Sequence, residues 1–152
     1  MSVLRTIYRF WISILAAAVL VQIALAGYGA FYAANKVSDT TIDEDTFSDG
    51  FGPHAALGYL ILLGVLLAVI LALLARPGKR TVLMTVGAFG LMILQVLLAW
   101  FGFEVPAIGA LHPLNALAIA ALLGSLAAQE WRLHKMGGGM GARPEPPPAT
   151  PA

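Results

Sequence analysis

The chain is 152 residues long, with hydrophobic residues at 59%, charged residues at 11% and a formal net charge of +1. Together with a mean hydropathy of +0.83, this excludes an ordinary soluble domain and gives no basic surface for nucleic acid. No cysteine is present, which excludes disulfides, thiolate-held clusters and covalent c-type haem attachment.

Four apolar stretches are long enough to cross a bilayer core of roughly 30 Å at 1.5 Å per residue, at about 7–34, 54–75, 82–103 and 106–128. The expected fold is therefore all-α, an integral membrane four-helix bundle filling residues 1–135. In the first stretch, Arg5 and Arg9 precede an apolar run that is too long for the core of a signal peptide, so it reads as a retained helix. Tyr8 and Trp11 near its start, and Tyr28 and Tyr32 near its end, match the aromatic belts of membrane-spanning segments.

Residues 35–52 follow, with Asp39, Asp43, Glu44, Asp45 and Asp49, and read as an acidic outer loop. Pro53 is suited to open the second helix, because a first helical turn leaves its N–H groups unpaired in any case. Arg76 to Arg80 form a short basic turn, so the second and third helices should be antiparallel neighbours. The connection from Gly102 to Pro106 is shorter still. Arg5 and Arg9, the Arg76–Arg80 turn, and Arg132, Lys135 and Arg143 all fall on one side. An excess of Lys and Arg marks the cytoplasmic face, so both termini are expected in the cytoplasm of a multi-pass cell-membrane protein. Residues 136–152, rich in Gly and Pro, read as a disordered cytoplasmic tail.

Two parts of the chain resemble each other. Gln22-Ile-Ala-Leu-Ala26-Gly-Tyr-Gly29 is echoed by Gln95-Val-Leu-Leu-Ala99-Trp-Phe-Gly102, and Pro53-His54-Ala-Ala-Leu-Gly58 by Leu111-His112-Pro-Leu-Asn-Ala116. Helices one and two thus repeat as three and four, which implies a pseudo-two-fold axis along the membrane normal. The axis would set His54 and His112 at similar depth, facing each other.

Two imidazoles from opposite helices can fill both axial positions of a haem b iron, with apolar side chains around the macrocycle. Gly58 and Ala116, four residues after each His and on the same helix face, would leave room for the porphyrin edge. Ile61, Leu62, Ile119 and Leu123 would floor it. Asn35, Lys36, Asn115 and the hydroxyls of the outer loop are the candidates to meet its propionates. Gln22 and Gln95 are amides inside apolar helices, where an unpaired polar group costs about 1–3 kcal/mol. Either they bond a His ring nitrogen and fix its tautomer, or they join helices through amide or backbone contacts.

With these residues the chain resembles one four-helix half of haem A synthase and, more generally, bis-His membrane cytochromes of the b type. It is also similar to small four-helix membrane proteins that carry no assigned role. The resemblance implies a haem b-binding protein in electron transfer or haem handling, with His54 and His112 as iron ligands and a membrane or external redox partner. Ala55 and Pro113 stand where haem A synthase has basic residues after its histidines, and Phe51 where it has an acidic one. An electron carrier is therefore expected rather than a haem-oxidising enzyme. The alternative is a cofactor-free accessory or assembly subunit of a membrane complex.

Overall fold

The structure, a computed structural model, describes residues 3–37 and 41–139. It is all-helical. Helix α1 spans Val3–Lys36, α2 Glu44–Ala75 and α3 Lys79–Glu104; a single turn, α4 (Pro106–Gly109), then leads into α5, Leu111–Gly139. Four spans are long and apolar enough to cross a membrane, α4 and α5 serving together as the fourth. A helix satisfies every backbone N–H and C=O internally, which hydrocarbon demands.

Large apolar side chains point outward along all four spans: Leu20, Leu60, Leu63, Leu83 and Leu117 are each more than half exposed. In water such a surface would aggregate; in lipid it needs no partner. The core is narrower and lies between the helices, with Ile12, Leu15, Val65, Ala68, Ala88, Leu123 and Leu126 at its centre.

Each helix packs on the next, and α5 closes the ring against α1. Among the described residues the backbones of α1 and α3, and those of α2 and α5, stay apart and meet only through side chains. These are the two diagonals of the bundle, so α2 and α5 face each other across its axis.

The second helix begins earlier than its sequence implies. The segment expected as an outer loop, 35–52, is helical from Glu44 onward, and Pro53 lies inside α2 instead of opening it. Asp43 is the true N-cap: its side chain accepts a hydrogen bond from the Thr46 N–H at 2.7 Å. Glu44 and Asp45 in the first turn complement the positive end of the helix dipole. Hydrogen bonds from Thr46, side chain first and then backbone, hold the Asp43 carboxyl below its usual range.

This extension of α2 packs tightly on α1. A Cβ at Gly29 would sit 2.8 Å from the Phe51 ring and 2.9 Å from the Gly50 carbonyl oxygen. Gly102 and Gly109 make the matching contact between α3 and α4, where a Cβ at Gly102 would lie 2.6 Å from Gly109 Cα. Gly27, Gly87 and Gly90 face open space and serve no close approach among the described residues.

Between α2 and α3 the turn is made by Arg76 in the left-handed conformation (φ 48°), whose N–H bonds Ala72 O, and by Gly78 at φ 125°. Helix α5 continues to Gly139, past the point where the tail was expected to start. The rest of that tail, 140–152, lies outside the described residues.

Candidate functional site

Gln22 and His54 hold each other by two reciprocal bonds. The Gln22 side-chain amide donates to the His54 backbone carbonyl at 2.7 Å, while His54 Nδ1 lies 3.1 Å from the Gln22 backbone carbonyl. Gln95 and His112 repeat the arrangement, with Gln95 Nε2 3.0 Å from His112 O and His112 Nδ1 3.1 Å from Gln95 O.

A carbonyl oxygen only accepts, so each Nδ1 carries the proton and donates it. Neutral rings in this tautomer leave each Nε2 with a free lone pair. A backbone carbonyl on Nδ1 is one of the partners that metal-binding imidazoles use. The glutamines therefore do not bond the rings through their side chains. Each side chain joins two helices by way of the histidine backbone, and the neighbouring main chain orients the ring.

The two rings meet on the diagonal between α2 and α5, with centroids 6.2 Å apart and planes inclined at 56°. At that spacing the two rings stand close enough to meet a single bound group.

Around the rings lies a cavity of about 510 Å³, within the range of small-molecule and cofactor sites. Gly58 and Ala116 line it, as expected, and so do Ile61 and Ile119. Leu62 and Leu123 do not; Val19 and Met92 take their places. Gly58 leaves room for the glutamine amide, since a Cβ there would lie 2.9 Å from Gln22 Nε2. The mouth is aromatic. Phe47 stacks on Phe51 at 4.9 Å and meets Phe103 edge-on at 5.8 Å, and Trp100 and Tyr59 line the cavity while more than half exposed.

Among the described residues none of the expected propionate partners lines the cavity. Both N–H groups of the Asn115 amide are spent, on Leu91 O at 2.9 Å and Gln95 Oε1 at 2.7 Å. Asn35 bonds Phe31 O, and the Lys36 ammonium lies 5.9 Å from the Tyr32 ring centre.

Residues 22–102 match a family of unknown function, DUF6220. The chain belongs to that family. No curated protein and no solved structure matches it. The matched DUF6220 segment runs from Gln22 through His54 to Gln95 and Gly102, so it holds the whole first Gln–His pair and the glutamine of the second. His112 and Asn115 of this DUF6220 protein lie just beyond the matched stretch.

At the opposite end of the bundle is a polar cluster that sequence reasoning missed. Glu130 is fully buried and forms an ion pair with Arg5 at 3.0 Å. Arg9 is 4% exposed, with its guanidinium 4.6 Å from the Trp131 ring centre. Tyr8 Oη lies 2.7 Å from Thr85 Oγ1, and Gln129 Nε2 donates to Thr81 Oγ1 at 2.8 Å. Arg5 and Arg9 thus tie α1 to α5. A buried glutamate within the last turns of an apolar span was the available signal, because intramembrane ionisable groups nearly always have a partner.

Proposed function

We propose that this protein is a small membrane haem b carrier with His54 and His112 as the two axial ligands, acting in electron transfer or haem handling. The observation that carries the reading is the pair of imidazoles, each held through Nδ1 by a backbone carbonyl, with centroids 6.2 Å apart beside an apolar cavity.

Donor count favours haem over a bare metal ion. No group of three or more His, Cys, Asp or Glu side chains lies together among the described residues, and a bare ion wants three or four protein donors. A porphyrin brings its own equatorial nitrogens and asks the protein only for axial ligands. When bound, haem would supply a one-electron couple. His54 and His112 would hold it, Gly58 and Ala116 would give it room, and Gln22 and Gln95 would fix the helices that carry the ligands. No cation lines the cavity, so the haem carboxylates belong at its mouth, toward water.

The repeat of α1–α2 as α3–α5 is part of the proposal, and the twice-made Gln–His pair supports it. So is the orientation: charge bias sets the Arg5 and Glu130 end in the cytoplasm with both termini, and the His end outside with the segment 35–52. A redox partner would meet the site from the outer face or within the membrane.

The test is the absorbance spectrum of protein produced with ample haem. Wild type should carry a low-spin, six-coordinate b-type haem. His54→Ala and His112→Ala should each lose most of the haem or its low-spin form, while His134→Ala leaves both unchanged. Haem-free wild-type protein would remove the reading and leave a cofactor-free accessory subunit in its place. For orientation, a Cys at Ser48 should react with an impermeant thiol reagent in intact cells, and one at Gly139 only after lysis.

A further inference from the structure

The two histidines are not braced alike. Around His112, α3 and α5 are stitched by four hydrogen bonds: Gln95 Nε2 to His112 O, His112 Nδ1 to Gln95 O, and the two from Asn115. Around His54, α1 and α2 share two, from Gln22 Nε2 to His54 O and from His54 Nδ1 to Gln22 O.

The difference traces to one residue. Three positions after His112 stands Asn115, whose amide saturates Gln95 Oε1; three positions after His54 stands Leu57. Leu57 has nothing to donate, and Gln22 Oε1 is buried without a hydrogen-bond partner. A carbonyl oxygen left that way costs free energy in the resting arrangement, so the Gln22 amide gains from any movement that finds it a donor.

By hydrogen bonding His112 is the more firmly braced of the two rings and His54 the less.

We propose that His54 is the exchangeable axial ligand, and that the iron position it vacates is a binding site for a small neutral diatomic gas of the carbon monoxide type. This rests on the haem reading above. In the ferrous state, reached by one-electron reduction with dithionite, the bond from iron to His54 Nε2 breaks and the imidazole keeps its lone pair. The carbon lone pair of carbon monoxide forms the new bond, and no proton or further electron moves. The ligand is small, uncharged and apolar, which suits an apolar cavity with an aromatic mouth.

The experiment follows carbon monoxide uptake by dithionite-reduced, haem-loaded protein. Wild type should bind it with a rate that levels off at high gas concentration, because release of His54 becomes limiting. Leu57→Asn places an amide where the second half has Asn115, and should slow uptake at least tenfold. Gln22→Leu, which removes the bond to the His54 backbone, should speed it; His54→Ala should bind without the plateau; Asn115→Leu should not slow it. A second readout needs no haem: Leu57→Asn should raise the thermal stability of the cofactor-free protein by giving Gln22 Oε1 its donor. Protein that carries haem yet takes up no carbon monoxide would overturn the proposal, as would uptake unchanged in both Leu57→Asn and Gln22→Leu. Failure of the haem reading is seen earlier and separately, as a wild-type preparation with no haem spectrum, and it overturns both.

Discussion

Replacing each glutamine by leucine should expose the unequal bracing directly, because the same substitution costs the two halves different amounts. In Gln95→Leu the bond to the His112 carbonyl disappears, and one Asn115 N–H loses its acceptor at 2.7 Å. An intramolecular hydrogen bond is worth about 0.5–1.5 kcal/mol net, and a buried donor left without a partner costs about 1–3 kcal/mol. Interhelical bonds in membranes average nearer 0.6 kcal/mol, so the expected loss is about 2 kcal/mol.

In Gln22→Leu a single side-chain bond is lost, to the His54 carbonyl, but the unpartnered Oε1 goes with it. Those two contributions are of similar size and opposite sign, so stability should stay within about 0.5 kcal/mol of wild type. Leucine is close to glutamine in length, and Gly58 opposite leaves it space. The assay is reversible unfolding of cofactor-free protein in mixed micelles, followed by helical circular dichroism. Equal destabilisation by the two substitutions would refute the assigned asymmetry, and with it the account of why His54 is the looser ligand.

The polar cluster gives a second expectation: Glu130→Ala leaves the Arg5 and Arg9 end without its buried carboxylate and should cost about 3 kcal/mol in the same assay, since breaking a buried pair strands a charge. Gly102→Ala should destabilise by about 1–3 kcal/mol, because its Cβ would meet Gly109 backbone. Gly87→Ala meets nothing and should stabilise by up to about 1 kcal/mol through helix propensity. The Asp43 cap is pH-dependent: its carboxyl is lowered from 3.8 by the Thr46 hydrogen bonds, so its contribution is complete above that ordinary value and is lost as pH falls through the depressed one. The Thr46 amide shift should report this transition, and Asp43→Asn should abolish it.

The four spans were legible because hydrocarbon imposes a length and a composition that few other constraints mimic. The first turns of α2 were not. Asp43 with Glu44, Asp45 and Thr46 is a helix-start signal, but the polar run around it looked like a loop, and Pro53 offered a plausible later start. Gln22, His54, Gln95 and His112 were legible as recurring residues, although their bonding was not. Sequence spacing reports which residues share a helix face and is silent about which atoms pair. It was the backbone carbonyls of the glutamines that reached the rings, and no periodicity marks a carbonyl. Asn115 was misread for a related reason: an amide near a cavity looks free until the acceptors of the neighbouring helix are located.

Within lipid the hydrophobic effect does not bring helices together, so hydrogen bonds and close backbone contacts decide where each helix sits. That makes the fold and the candidate site one object at the His end. The glutamine amides bond the backbone carbonyls of residues 54 and 112, contacts that survive any change of side chain at those positions. His54→Ala and His112→Ala therefore lose a ring and its Nδ1 bond while keeping the helix-to-helix tie that sets the register. The bundle should assemble in both variants, and a loss of haem from them can be read as the loss of a ligand and not as the loss of the fold.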